Sequence, residues 1–244
     1  MSGEIDILEG VHDQAFNQYT LHTAPGCTID VSKSLSSLAP SLLSAMDPSK
    51  IFTGSLLATE CDAAVNYNAG CGILDTDGRS YGAGLNAEGG GVFATLWDGE
   101  GIRICAFFPL YRRSYYSCVL TFSIWDTDTP LSLGFFPHSS VPSDILAETP
   151  DPSTWPSPKA FWASSSCPTN AFFNSLSMIF DITLCGDWAG ATYNSAGYSG
   201  SCAERVADPA NFESGFISCV VHPRTLMVPI AAANWRIRSI KVYD

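Results

Sequence analysis

The chain consists of short segments typical of β-strands, each bounded by residues that favour turns. Gly, Pro, Asn and Asp cluster between these segments, and the few helical patterns are short. Many short strands joined by such turns are typical of an all-β sandwich or barrel. A sandwich of 244 residues is commonly one domain, so we expect a single domain over residues 1–244. The clearest predicted strands are Glu4–Leu8, Tyr19–Thr23, Gly91–Trp97, Ile179–Leu184 and Arg236–Tyr243, and the predicted helices are Ser34–Met46 and Cys202–Ala207.

The composition of the chain narrows the classes of partner. The formal net charge is −12, from 24 acidic and 12 basic residues, which argues against nucleic acid or an anionic membrane surface. No apolar run reaches the roughly 18 residues that a membrane span needs. Nine cysteines suggest an oxidising compartment, although no signal peptide precedes the first acidic segment. Aromatic residues make up 12% of the chain, which fits either a large core or a neutral, flat ligand such as a sugar.

The segment Gly3–Gly10 alternates acidic and apolar residues. In a regular strand Glu4 and Asp6 share one face, which is unfavourable unless that face is a wet cleft or a site. Glu9 is out of phase, but a β-bulge near Ile7–Leu8 returns it to the side of Glu4. The two Glu Cα atoms are then about 13 Å apart, and inward-leaning side chains bring the carboxylates to about 5 Å, as in a retaining glycosidase. The alternative is a solvent-facing acidic edge strand.

The string Gly-Glu-Ile-Asp-Ile-Leu-Glu-Gly at residues 3–10 resembles the catalytic strand of glycoside hydrolase family 16, in its bulged, laminarinase-type form. The resemblance implies an all-β jelly-roll sandwich of the concanavalin A-like lectin and glucanase type. It also implies that Glu4 is the nucleophile, Glu9 the general acid/base and Asp6 an assisting carboxylate. Further stretches resemble the fungal laminarinase branch in the same order: Tyr19–Thr23, Cys61–Cys71, Ser80–Asn86, Gly89–Gly91, Phe135–Ile145, Leu184–Gly190 and the terminal strand.

Three further residues are candidate site residues. A lone His is usually structural, but the family places a His at the position of His22, within hydrogen-bond reach of the carboxylates. Trp188 follows a predicted strand and a Gly-Asp turn, as a stacking residue in a substrate cleft would, although a core Trp fits the same pattern. We expect Asn86 to border the cleft as a second substrate contact.

Two segments and the beginning of the chain depart from the family pattern. Family members carry further strands before the catalytic strand, so we expect a jelly roll that is incomplete at its N-terminal side. Residues from about 105–134 and 215–233 look like insertions, and our hypothesis is that they are translated introns or gene-model errors; genuine surface loops are the alternative. The six cysteines outside them form an even set, although sequence alone leaves their connectivity open. The expected bridges are Cys61–Cys71, Cys185–Cys202 and, with what remains, Cys27–Cys167.

The resemblance implies an extracellular, monomeric endo-β-1,3(4)-glucanase that acts on β-glucan by double displacement and needs no metal or organic cofactor. One alternative is a glucan-binding protein without turnover, which the loss of Glu4 or Glu9 would favour; both residues are present. Another is an inactive fragment of such an enzyme. Within the family, transglycosylases and agarases are further alternatives, and the match to the fungal laminarinase branch favours β-1,3-glucan as substrate.

Overall fold

The computed structural model describes residues 2–32, 51–88, 90–108, 120–123, 141–209, 211 and 235–243. Short strands and shorter helices make up the regular structure of these residues. The strands are β1 (Glu4–Glu9), β2 (Gln18–His22), β3 (Ser55–Leu56), β4 (Cys71–Leu74), β5 (Val92–Asp98), β6 (Gly101–Phe107), β7 (Leu120–Ser123), β8 (Ala160–Ala163) and β9 (Trp235–Ser239). The α-helices are α1 (Gly82–Ala87), α2 (Ser143–Leu146), α3 (Thr169–Phe172) and α4 (Cys202–Ala207).

The strands form two antiparallel sheets that enclose one apolar core. The first sheet has the order β1-β2-β4-β3 and the second the order β5-β6-β8, while β7 and β9 pair in parallel. Leu21 and Ile73 of the first sheet share the core with Ile104 and Trp162 of the second. The ring N–H of Trp162 donates across it to the backbone carbonyl of Cys71, at 3.2 Å. The predicted all-β sandwich is therefore confirmed for the described residues.

The first sheet has one apolar face and one polar face. Tyr19 and Leu21 are fully buried in the core. Because side chains alternate along a strand, Thr20 between them faces away from the core. Glu4 and Asp6 on the neighbouring β1 lie on this outer side, with Asp6 opposite Thr20 in the register. The alternation therefore sets a row of polar side chains on the outer face of the sheet.

Three disulfides connect the described residues, and they are the three pairs expected from the sequence. Cys61–Cys71 and Cys185–Cys202 close short loops, while Cys27–Cys167 joins positions 140 residues apart. Closing so long a loop removes much conformational freedom from the unfolded chain, which stabilises the fold by about 3–5 kcal/mol in chain-entropy estimates. Cys105 is a buried free thiol on β6, and burial raises its pKa to about 12.

One predicted strand is wrong. Ile179–Leu184 has no regular secondary structure, and Ile179, Ile182 and Leu184 are exposed. Its residues alternate well enough for a strand, but a strand also needs a neighbour to accept its backbone hydrogen bonds. No described strand pairs with this segment.

The other predicted elements agree more closely. The strands at the start of the chain and at Gly91–Trp97 are found within one or two residues of their predicted bounds, whereas the last strand ends at Ser239 rather than Tyr243. Helix α4 has the predicted bounds, and Ser201 caps it. The predicted helix Ser34–Met46 and the segment 215–233 lie outside the described residues, as does most of 105–134, so the insertion hypothesis stays a prediction. In the part of the chain that the structure describes, no helix is long and apolar enough to cross a membrane.

Candidate active site

A β-bulge in β1 brings three carboxylates to one face of the first sheet. Asp6 and Glu9 are separated by three residue steps, whereas their partners Thr20 and Gln18 on β2 are two steps apart. The extra residue lies between Asp6 and Glu9, where the sequence predicts a bulge, and it restores Glu9 to the outer face. Glu4 and Glu9 both exert their charge on Asp6, and Asp6 is hydrogen-bonded to Glu4.

Asp6 lies in the middle of this acidic row and is largely shielded from solvent. Burial, as the largest cause, and the negative charges of Glu9, Glu4 and Asp181 together raise its pKa to about 8. Its Oδ2 atom is buried and accepts no hydrogen bond from the described residues. Asp6 therefore carries its proton at neutral pH and can donate it in a hydrogen bond to Glu4.

Glu9 is also perturbed, but it has a donor beside it. Burial raises the pKa of Glu9, and the charges of Glu4 and Asp181 add to the rise, while a hydrogen bond from Thr20 opposes it. The Thr20 hydroxyl donates to Glu9 Oε2 at 3.2 Å. A carboxyl group with a raised pKa can hold a proton for delivery near neutral pH, as a general acid must.

The chain places His22 beside Asp6. Its Nε2 atom lies 3.4 Å from Asp6 Oδ2 and its Nδ1 atom 2.9 Å from Asn68 Oδ1, so the ring is held between two polar groups. Gly70 permits this packing, because a Cβ atom there would lie 2.7 Å from His22 Cε1 and the backbone has φ +63. His22 is thus fixed against the central carboxyl group.

Trp188 lies in a π-helical turn, Gly186–Gly190, at the rim of an open depression beyond the end of β1. The depression has a volume of about 390 Å³. The Cys185–Cys202 bridge ties this turn to α4. Residues that follow β1 in the chain form the other wall. Its lining is Val11, His12, Asp13, Gln14, Trp188, Thr192, Ala196 and Tyr198.

The place of Asn86 at the border of the cleft stays a prediction. Asn86 lies on α1, and its Oδ1 atom is buried without a hydrogen-bond partner among the described residues. The hydroxyl of Tyr81, the residue before that helix, donates to the carbonyl of Gly10, directly after β1, at 3.1 Å. Burial raises the pKa of Tyr81, and the charge of Glu9 adds to the rise.

Most of the residues that surround the three carboxyl groups could not be predicted from the sequence. Thr20 is the exception, because its place between two core residues on β2 puts it on the face of the acids. Asn68, Tyr81 and Asp181 come from distant loops, and only the folded chain brings them near β1.

Among the described residues, one cluster has metal-ligand atoms within reach of each other. The Sγ atoms of Cys27, Cys61 and Cys71 lie within 4.8 Å of one another. All three are in disulfides, so they offer no thiolate to a metal.

A family model described as the XgeA-like catalytic domain of glycoside hydrolase family 16 matches residues 1–113 and 122–220. The chain belongs to glycoside hydrolase family 16. The match includes the bulged strand, His22 and the turn that carries Trp188. The expectation drawn from the sequence of residues 3–10 is therefore confirmed for the family.

Similar proteins come from fungi. A probable glycosidase of Schizosaccharomyces pombe is 35% identical over 246 residues, which cover 99% of this chain and 44% of that protein. An endo-1,3(4)-β-glucanase of Arthroderma benhamiae is 32% identical over 248 residues, covering 100% of this chain and 41% of the relative. The chain thus spans less than half the length of these two relatives.

A solved structure with the same fold is the family 16 laminarinase 16A of Phanerochaete chrysosporium, which holds β-glucans in its donor and acceptor sites. The two structures superpose with a TM-score of 0.59 at 30% identity, over 85% of this chain and 56% of the laminarinase. The fold class is the predicted one, a jelly-roll β-sandwich of the family 16 type.

Proposed function

We propose that this chain hydrolyses internal bonds of β-1,3(4)-glucan by a retaining double displacement. Glu4 acts as the nucleophile, Glu9 as the general acid/base and Asp6 as the assisting acid. The observation that carries the proposal is the bulge in β1, which gathers three carboxyl groups on one face and leaves two of them with raised pKa values. An acidic edge strand with no site would expose all of its acids to water, whereas Asp6 and Glu9 are half-buried.

The different surroundings of the carboxyl groups support the division of roles. In the first step Glu4 forms a bond to the anomeric carbon while Glu9 gives its proton to the departing glycosidic oxygen. In the second step Glu9 takes a proton from water, whose oxygen attacks the anomeric carbon and releases Glu4. The raised pKa of Glu9 suits both steps, because the group must hold a proton in one and accept it in the other.

Asp6 supports the nucleophile in this scheme. With a pKa of about 8 it is neutral at the pH where Glu9 works, so it adds no third negative charge to the row. Its proton is shared with Glu4, which stabilises Glu4 as the leaving carboxylate in the second step. The ring of His22 lies beside the same carboxyl group, with Nε2 3.4 Å from Asp6 Oδ2.

The substrate is proposed from the relatives and from the depression beside β1. Two relatives are named as glucanase or glycosidase, and the laminarinase structure contains β-glucan. Trp188 and Tyr198 offer flat rings at the rim of the depression, and sugar rings stack on such surfaces. The three disulfides favour an extracellular enzyme, and we propose that it acts as a monomer without a cofactor.

The test is the release of reducing ends from laminarin, with lichenan, cellulose and agarose as comparison substrates. Retention is read from proton NMR as early appearance of the β-anomer. Laminarin cleavage with retention supports the proposal, and inversion would exclude the mechanism. Binding of laminarin without release of reducing ends would support the glucan-binding alternative instead.

A further inference from the structure

Two side-chain amides bind the backbone on both sides of Glu9. The N–H of Glu9 donates to Asn17 Oδ1 and the Asn17 amide donates to the carbonyl of Ile7, each at 2.9 Å. The Gln14 amide donates to the carbonyl of Glu9, and the N–H of Val11 donates to Gln14 Oε1, each at 3.2 Å. Both backbone groups of Glu9 are therefore held by side chains from the loop that follows.

These contacts satisfy groups that the bulge displaces from the strand ladder. A bulge leaves backbone donors and acceptors without regular partners, and buried ones must be paired. Asn17 spans the bulge, with one amide atom bonded before it and the other bonded after it. The angle at which the chain leaves the bulge, and with it the direction of the Glu9 side chain, depends on this bridge.

Asn17 is itself held rigidly. It is fully buried, and its backbone N–H donates to Ser80 Oγ at 2.9 Å while its carbonyl accepts from the N–H of Asp75 at 2.8 Å. Ser80 in turn donates to the carbonyl of Asp77. The bridge thus connects Glu9 to the segment between β4 and α1, on the far side of β2.

The side chain of Gln14 packs inside the turn after β1 and is hydrogen-bonded to its backbone. Its amide also donates to the carbonyl of Phe16, at 2.8 Å, so its position is set from both ends of the loop. A Cβ atom at Gly10 would collide with the Gln14 amide and with Tyr81. The glycine after Glu9 is therefore explained by the space that Gln14 occupies.

We infer that Asn17 and Gln14 are positioning residues that fix the carboxyl group of Glu9 for proton transfer to the leaving group. The inference rests on the proposed function, in which Glu9 is the general acid/base. Proton transfer is sensitive to geometry, and a displacement of about 1 Å costs on the order of 100-fold in rate. Each acts through the backbone of Glu9: Asn17 is fully buried, and Gln14, which also lines the depression, holds the carbonyl of Glu9.

The experiment compares substrates that differ in their need for acid catalysis. Dinitrophenyl laminaribioside has a good leaving group and needs little proton transfer, whereas phenyl laminaribioside and laminarin need it fully. For Asn17→Ala we expect kcat/KM to fall on the order of 100-fold with phenyl laminaribioside and laminarin, but less than about 3-fold with the dinitrophenyl substrate. Gln14→Ala should show the same selectivity with a smaller loss, and because Gln14 is only half-buried this variant serves if Asn17→Ala does not fold.

Two control variants separate positioning from stability. Ser80→Ala removes the bond to the backbone of Asn17 and lowers Tm, but leaves both amide contacts to β1 in place. Asn211→Ala removes another bond from a side-chain amide to the backbone, to the carbonyl of Arg205, away from β1. Both should lower kcat/KM for the phenyl and dinitrophenyl substrates by equal factors or not at all.

The outcomes separate the inference from the function on which it rests. A loss confined to the phenyl substrate and laminarin supports the inference, whereas equal losses on both aryl substrates, or no loss, would overturn it. If the unmodified chain cleaves none of the three substrates, the proposed function has failed. If it does cleave them and Glu9→Ala shows the leaving-group selectivity but Asn17→Ala and Gln14→Ala do not, only the positioning role has failed.

Discussion

Two buried carboxyl groups on the same sheet are treated in opposite ways by their surroundings. Asp75, at the end of β4, accepts from the hydroxyl of Tyr19 at 2.7 Å and lies 3.3 Å from Lys159 Nζ. Asp6, on β1, lies among the negative charges of other acids; its buried Oδ2 atom lies 3.4 Å from His22 Nε2 but accepts no hydrogen bond from the described residues. A carboxylate that serves the fold is provided with donors and a cation, since a buried charge must be compensated. A carboxyl group placed among like charges holds its proton instead, which is of use in catalysis but costs stability.

The largest expected effect is the loss of the nucleophile on the acidic face. Glu4→Gln should lower laminarin hydrolysis on the order of 10⁴-fold or more, because an amide cannot form the glycosyl-enzyme. Mass spectrometry with a slow fluorinated substrate should detect a covalent adduct on the unmodified chain and none on this variant. Asp75→Asn is the matched control on the opposite side of the sheet, and it should change stability far more than kcat.

Glu9→Ala should give a smaller loss with a different character. General acid/base catalysis contributes about 10²–10⁴-fold, so natural glucan should be cleaved slower by that factor. The second step should stall without a base, and azide should restore turnover by attacking the glycosyl-enzyme to give the β-glycosyl azide. The same β-azide from Glu4→Gln, and not from Glu9→Ala, would show that the two roles are reversed.

Substitution of Lys159 tests how much the ion pair with the buried Asp75 stabilises the fold. Lys159→Met leaves Asp75 buried without its cation, and we expect the free energy of unfolding to fall by about 3 kcal/mol. Lys241→Met is a fair comparison, because the two lysine side chains are 18% and 20% exposed, but the partner of Lys241, Glu148, is itself 36% exposed. The control should cost less than about 1 kcal/mol. If urea unfolding shows the same loss of free energy of unfolding for both variants, the buried pair of Lys159 and Asp75 stabilises the fold no more than the exposed pair does.

The raised pKa of Asp6 also predicts how the free energy of unfolding changes with pH. In the unfolded chain Asp6 ionises near its ordinary pKa of 3.8, whereas in the folded chain it holds its proton up to about pH 8. Between these values the folded state binds more protons, so the free energy of unfolding should fall as pH rises and become level above about 8. Asp6→Asn removes this contribution, and its unfolding curve should be flatter over the same range. A variant whose pH dependence matches that of the unmodified chain would contradict the raised pKa of Asp6.

The sequence predicts the acidic site better than it predicts its support. The out-of-phase position of Glu9 required a bulge, and the register contains one. The spacing of apolar residues on β2 also carries a signal that was not used, namely that Thr20 faces away from the core. Asn17 gave no such signal, because its role depends on a three-dimensional contact with a bulge in the previous strand.

The wrong strand prediction has a similar cause. Ile179–Leu184 has the alternation of a strand, but alternation reports two faces and says nothing about a neighbouring strand. Even without regular structure, this segment brings Asp181 close enough to raise the pKa of Asp6 and Glu9. Asn86 stays a predicted substrate contact, and the hydroxyl of Tyr81, five residues earlier, contacts the backbone directly after β1. The local alternation of residues predicts which face of a strand a side chain lies on, whereas its contacts depend on how distant segments of the chain pair.

The smallest effect should come from His22, which contacts the central acid rather than the reacting atoms of the proposed mechanism. His22→Ala removes a ring held by Asn68 and 3.4 Å from Asp6, so Asp6 loses a positioning contact but keeps its place on the strand. We expect kcat to fall about 10-fold, in the range seen when supporting groups around a site are removed, with little change in KM. His22→Gln, which retains a hydrogen-bonding side chain of similar reach, should recover part of the loss. Steady-state kinetics on laminarin distinguish this from a packing defect, because a defect spread through the sheet by the space left beside Gly70 would lower Tm and would not be relieved by the amide. If His22→Ala loses as much activity as Glu4→Gln, His22 takes part in the chemistry directly and the division between reacting and supporting groups is wrong.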